Sequence, residues 1–331
     1  MVYYQIKKAV DVSSLAKIQG MDLEKAHDVH SFIESFSTMG LQASELAKAI
    51  DIVTMMRREQ AAIYLSFTSN MVSSGVREVI TYLVKHKHIH IISTSAGGVE
   101  EDALKAYAPF RLGSFSVSGE WLFNQGLSRI GNIYTTTDHY AYFEQFMQSV
   151  FAKLYEQQKK TGQCATPSVI ARMIGQELEA HPDFDHEQSY LYWAYKQNIP
   201  VYCPGIMDGS IGDLLYFFKQ KHPDFLIDVT GDHKQLIDTT LSFDKTGAII
   251  LGGGIAKHYV LNANIFREGL DYSVYITTAV EFDGSDSGGS GQEAISWAKL
   301  QLRSPHVRVT CDASIAAPLL IYGAFVPKKE A

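Results

Sequence analysis

Apolar positions along the chain follow two regimes. Between residues 22 and 59 they recur at helical spacing: Leu23, Ala26, Val29, Phe32, Ile33 and Phe36 along one predicted helix, then Leu46, Ile50, Val53 and Met56 along a second, with Gly40 between them. That stretch reads as packing or oligomer contact. From residue 60 onward, short apolar runs alternate with helical patterns. AIYLSF (62–67), HIHIIST (88–94), PVYC (200–203), GAIIL (247–251), YSVYI (272–276) and VRVTC (307–311) are predicted strands. Helices are predicted over TSNMVSSGVREVITYLVKH, from AGGVEEDALKAYA, and over 138–160, 166–180 and 186–198, while 108–135 reads as irregular and Gly-rich. Strands alternating with helices predict an α/β fold: a doubly wound parallel sheet with helices on both faces, preceded by N-terminal helices.

Composition narrows the classes of partner. The 331 residues amount to one large or two ordinary domains, with 46% hydrophobic and 20% charged positions, enough for a core without staples. A net charge of -7 disfavours nucleic acid and mildly favours cationic small molecules. Cys164, Cys203 and Cys311 stand far apart and match no metal or redox spacing, which suits a reducing compartment. The opening MVYYQIKKAVDV lacks the apolar core of a secretory signal, and no apolar run approaches membrane-spanning length, so a cytoplasmic location is expected. His86, His88 and His90 would share one face of a strand. With no cysteine or carboxylate beside them they read as a polar strand entry, and no metal is expected.

The candidate chemistry lies where the predicted strands end. Their tails are Thr68-Ser69-Asn70, Thr94-Ser95-Ala96-Gly97-Gly98, Met207-Asp208-Gly209-Ser210, Gly252-Gly253-Gly254, Thr277-Thr278-Ala279 and Asp312-Ala313-Ser314. Ligands of open parallel sheets bind beyond the carboxyl ends of the strands, and small residues let a ligand approach the backbone there. Six such tails predict a long crevice in a Rossmann-like sheet, of a length that suits a dinucleotide. A GxGxxG fingerprint is absent, so other phosphorylated ligands stay open.

The polar residues add a second theme. Glu281, Asp283, Asp286 and Glu293 surround a Gly/Ser-rich turn that runs into QEAISWAKLQL, read as a short helix. Carboxylates on such a turn suit a cationic ligand. Glu293 and Trp297 stand four apart and share a helix face, whereas an unbroken helix would turn Lys299 away from Glu293. Lys299 is then either the acids' salt partner or an amine nucleophile at an edge of the site. Asp208 could cap the helix that follows it, and Asp213 falls in that helix's first turn, where negative charge is favoured. Glu100 and Glu101 sit likewise after Gly98. His258, beyond the triple glycine, is a surface histidine or a general base.

Six segments in this order, FTSNMVSSG, TSAGGVEED, DGSIGD, LGGGIAKH, EFDGSDSG and EAISWAK, carry a resemblance to the deoxyhypusine synthases that extends from about Ile18 to Phe325. The resemblance implies an NAD-dependent transferase that moves the aminobutyl group of spermidine onto one lysine of the translation initiation factor 5A precursor. An enzyme lysine carries the butylimine on the way, and 1,3-diaminopropane is released. Position by position it implies Lys299 as nucleophile and His258 as proton acceptor. It implies Glu100, Glu101, Asp213, Gly284, Ser285, Asp286, Glu293 and Trp297 at the polyamine. For NAD it implies Ser69, Asn70, Met71, Val72, Ser73, Ser95, Ala96, Gly97, Glu101, Asp208, Gly253, Thr278, Ala279, Asp312 and Ala313. It further implies a homotetramer with sites at a dimer interface, while the change of pattern after residue 60 suggests a helical segment 1–60 and an NAD-binding α/β catalytic unit 61–331, together one compact unit.

The chain departs from the family pattern in places. Ala298 stands where SWGK is usual, SGGSGQEA replaces SGARPDEA, Ser95 replaces the more usual Thr, and the N-terminus is short beside eukaryotic members. Two other functions keep the same residues: a homospermidine synthase, which would use putrescine as acceptor, and an NAD-binding regulatory paralogue of an active synthase.

Overall fold

The computed structural model describes residues 11–25, 27–181 and 184–328. Most of the N-terminal stretch read for a signal, and Ala26 of the first predicted helix, lie outside them. Six parallel strands form the central sheet: β1 (Ala62–Phe67), β2 (Ile91–Thr94), β3 (Val201–Tyr202), β4 (Thr246–Leu251), β5 (Tyr272–Thr277) and β6 (His306–Thr310). Their spatial order is β3-β2-β1-β4-β5-β6. This is the doubly wound order, in which the direction of strand addition reverses between β1 and β4.

Every residue of β1, β4 and β5 is buried, as continuous apolar runs in an all-parallel sheet require. Alternate residues serve opposite faces. Ile63, Leu65, Phe67, Ile249, Leu251, Val274 and Ile276 join Val53 and Met56 of the helix Leu41–Arg58 and Leu320 and Ile321 of Ala313–Phe325. Tyr64, Ala248, Ile250 and Tyr275 face the other way, toward Leu236 of Val229–Leu241 and Val260 of Gly254–Ile265.

Four local readings change. The helix predicted from residue 22 forms only over Val29–Glu34, capped by Asp28, and Leu23 is exposed. The residues 108–135 contain strands Arg111–Leu112 and Leu127–Ile130, which flank Ile133–Thr136 in a small antiparallel sheet. The continuous helix expected after β1 is split into Asn70–Ser73 and Val76–Lys85. The break has a chemical cause: Lys105 Nζ donates to the carbonyls of Val72 and Ser74, each at 2.9 Å, and so satisfies the end of the first short helix. Finally, His86 and His88 precede β2 instead of lying on it. Their rings stack 6.0 Å apart and His88 packs on Phe325, while His90 Nδ1 accepts from the Ile63 amide at 3.1 Å. No helix among the described residues is long and apolar enough to cross a membrane.

Candidate active site

The carboxyl ends of β1, β2 and β3 build an acidic half of the crevice. Ser69 opens the short helix Asn70–Ser73, which turns Ser73 toward the helix Ala96–Tyr107. Ser73 Oγ there donates to the Glu101 carboxylate. Glu100, one residue back, accepts from the Ile211 amide at 2.7 Å and so ties the β2 tail to the helix Ser210–Lys221 that follows β3. Both glutamates are buried. Burial pushes the Glu101 carboxyl up to about 7; the Ser73 hydrogen bond opposes this and the Glu100 charge adds to it. Burial also raises Glu100, against the amide bonds of Ile211 and Ser210 and with help from the charges of Asp213 and Asp208. Tyr140 faces the same pair and is raised by burial and then by their charges. Asp208 does not cap its helix: Gly209 holds the cap position without a side-chain bond, and both Asp208 and Asp213 are exposed.

The carboxyl ends of β4, β5 and β6 build the other half. Gly252, at φ +90°, ends β4 so close to β1 that a Cβ there would fall 2.7 Å from Thr68 Oγ1. The helix Gly254–Ile265 starts at once, burying Lys257 and exposing His258. His258 Nδ1 lies 3.0 Å from Asp286 Oδ1. Asp286 Oδ2 is buried and has no hydrogen-bond partner among the described residues. The turn bearing Asp286 is pinned from beneath by two cations. Lys257 Nζ donates to the carbonyls of Asp286 and Gly289, the latter at 2.9 Å. Arg308 donates to the carbonyl of Gly288 at 2.7 Å and to that of Ala279. Gly288 admits no side chain, because a Cβ would lie 1.6 Å from the Val280 oxygen.

The helix reading of QEAISWAKLQL is too long, and the correction changes the chemistry. Ser290 caps a helix that covers only Gly291–Ser296. Ala298 N donates to Ile295 O at 3.0 Å and Lys299 N to Ala294 O at 2.9 Å, with Ala298 at φ +55°. This pair of bonds is the Schellman stop, whose left-handed position is normally glycine. The stop throws Lys299 off the helix, so the facing argument against it no longer applies. Lys299 is buried, 8% exposed, and its Nζ lies 5.7 Å from the centre of the Trp297 ring. Trp297 itself is 64% exposed.

The structure thus gathers Glu100, Glu101 and Asp213 in one group and His258, Asp286, Glu293 and Lys299 around the 286–299 segment in another. Among the described residues no hydrogen bond, ion pair or ring contact joins the two groups. Thr278 and Ala279 follow β5 and Asp312 and Ala313 follow β6, while Gly284 and Ser285 lie on an exposed turn ahead of Asp286. The Asp312 side chain caps its own helix through the Ser314 amide at 2.8 Å. Sequence reasoning missed Lys257, Arg308 and Tyr140. Nothing in their spacing marks them: a lysine beside His258 reads as surface, and an arginine within VRVTC as a strand-edge charge.

Comparison with known proteins adds an independent finding. Residues 31–324 match the family model described as deoxyhypusine synthase. The chain is similar to the deoxyhypusine synthases of Musa acuminata, 39% identical over 99% of this chain and 92% of the relative, and of Arabidopsis thaliana, 42% identical over 95% and 91%. A crystal structure from Entamoeba histolytica that carries the same family assignment is similar at a TM-score of 0.63 and 26% identity, over 93% of this chain and 96% of that one.

Two consequences are measurable. Ala298→Gly relieves a left-handed alanine without removing any contact beyond its methyl, so it should stabilise the fold by about 1 kcal/mol, read as a higher urea midpoint. An unchanged or lower midpoint would contradict the strain. Glu101 has a folded pKa raised from 4.5 to about 7, so between those values the folded state holds a proton that the unfolded state has released. Stability therefore falls as pH rises through that window and levels off above it. Glu101→Gln should remove this contribution, making the variant's advantage over the parent grow from pH 5 to pH 7.5. A difference that stays flat with pH would show that Glu101 titrates normally.

Proposed function

The chain belongs to the deoxyhypusine synthase family of aminobutyl transferases, and from that premise we propose that it moves the 4-aminobutyl group of spermidine, with NAD as cofactor, onto one lysine of the translation initiation factor 5A precursor. The observation that carries this reading is the placement of Lys299: a buried amine, released from its helix by the turn at Ala298, beside an aromatic wall and an acid-bearing turn.

The strand ends suit a dinucleotide. The helices Ala96–Tyr107 and Gly254–Ile265 begin at the crevice with cap residues, Ser95 and Gly253, that give their first turns no side-chain hydrogen bond. Those amide donors are open to phosphate. Ser69, Asn70, Met71, Val72, Ser73, Ser95, Ala96, Gly97, Glu101, Asp208, Gly253, Thr278, Ala279, Asp312 and Ala313 are the residues that would hold NAD, which supplies a hydride acceptor and later the same hydride.

The chain's own groups do the rest. Glu100, Glu101, Asp213, Asp286 and Glu293, with the turn at Gly284 and Ser285, take the ammonium groups of spermidine, and Trp297 lies along its methylenes. Asp286 orients His258 through Nδ1, leaving Nε2 to accept the amine proton as hydride departs from the adjacent carbon. The neutral amine of Lys299 adds to the resulting imine carbon, and the bond to nitrogen breaks to release 1,3-diaminopropane. The acceptor lysine then displaces Lys299, and returned hydride reduces the new imine.

In one chain this site is half open. Met207, Ile255, Phe282 and Ile315 stand exposed beside the strand ends, and among the described residues the acidic group is unbonded to the Lys299 group. Both features support a second copy closing the crevice, within a homotetramer that keeps water from the imine. The helices Val29–Glu34 and Leu41–Arg58, within the segment 1–60, then serve packing and assembly around the catalytic unit 61–331. An acceptor belonging to translation sets the expected location in the cytoplasm. The relatives' shared name favours a protein acceptor over putrescine.

Incubation with NAD, spermidine and the factor precursor should place an aminobutyl group on one precursor lysine and release 1,3-diaminopropane. Product formed only when putrescine replaces the precursor would overturn the assignment.

A further inference from the structure

Lys257 and Arg308 stand outside the roles assigned so far, yet both are spent on the turn that carries Asp286. Lys257 is 4% exposed and forms no ion pair among the described residues. Its donors go to the carbonyls of Asp286 and Gly289, and its Nζ lies 5.5 Å from the centre of the Tyr275 ring. Arg308 takes the intervening carbonyl of Gly288 and reaches back to Ala279, with Glu281 at 3.5 Å on its solvent side. Three carbonyls of residues 286–289 therefore point inward onto two cations from different elements, the helix after β4 and strand β6.

The choice of atoms matters. An ammonium beside an aspartate ordinarily pairs with its carboxylate, because a charged acceptor gives the stronger bond. Lys257 instead takes the backbone oxygen of Asp286. This leaves one carboxylate oxygen for His258 and the other, Oδ2, buried without a partner. A buried carboxylate oxygen left unmatched is unfavourable unless a donor arrives, and the donor expected at this site is a substrate ammonium. Burial lowers the Lys257 pKa, with the charges of Asp286 and Glu293 opposing, so the clamp is held by local bonding and not by a solvated charge.

We propose that Lys257 and Arg308 form a two-cation backbone clamp that positions the Asp286 carboxylate between His258 and the substrate amine. They are positioning residues: neither needs to touch substrate, and each acts through the geometry of Asp286. The inference rests on the function proposed above, and its test separates the two.

The measurement is the initial rate of NADH formation with NAD and spermidine, without acceptor, expressed per NAD-binding site titrated in the same sample. The unmodified protein must form NADH; if it does not, the proposed function fails first. In Lys257→Met, which keeps an unbranched apolar stem and removes the donor, the rate per site should fall about tenfold or more, the scale of a misplaced catalytic group, with a raised KM for spermidine and unchanged NAD affinity. Lys257→Arg should restore most of the rate, because it returns donors to the same carbonyls. Arg308→Lys, which loses the fork that spans Gly288 and Ala279, should raise the spermidine KM in the same direction. Full activity per site in Lys257→Met would overturn the clamp, as would equal losses in the Met and Arg variants. A loss that only follows a loss of NAD sites would assign Lys257 to folding alone and equally overturn it.

Discussion

The close passage of β1 against β4, at the one place where strand order reverses, is the constraint from which the site follows. Backbone hydrogen bonding fixes these two strands as neighbours, while their helices leave toward opposite faces. The chain ends therefore diverge, and in open parallel sheets this is the place above Thr68 and Gly252 where a ligand groove is expected. A side chain at Gly252 would close it, since even a Cβ meets the Thr68 hydroxyl. The proposed site residues lie on the two rims: glutamates from the β2 side, and the histidine, aspartate and lysine segment from the β4 and β5 side.

The two rims manage charge in opposite ways. On the first, carboxylates are buried near one another and only partly compensated by amides and a hydroxyl, which raises the pKa of both. On the second, a buried lysine and a half-buried arginine donate to backbone carbonyls of the turn, so neither pairs with the Asp286 carboxylate. A polycationic ligand of the kind proposed above would supply positive charge to the first rim and donors to the second.

Much of this was legible in the sequence because it rests on local pattern. Continuous apolar runs of four to six residues announce buried parallel strands, and the segments from FTSNMVSSG to EAISWAK identify the family. Periodicity failed where a tertiary contact decided the local structure. The helix after β1 stops because Lys105 arrives from another helix to take its carbonyls. The helix at Glu293 stops at an alanine in a glycine conformation, which composition alone argues against. The burial of Lys257 and the reach of Arg308 depend on where the 286–289 turn lands, and that placement has no sequence period. The strands at 111–136 were missed because short antiparallel pairs broken by glycines resemble loop.

The account turns on which amine carries the imine, and two lysines are buried at this rim, Lys299 and Lys257. Borohydride reduction of the protein during turnover with NAD and spermidine, followed by peptide mass spectrometry, locates that amine directly. The account predicts a single aminobutyl adduct on Lys299, none on Lys257, and none when NAD is omitted. An adduct on Lys257, or on a solvent-exposed lysine in place of Lys299, would contradict it.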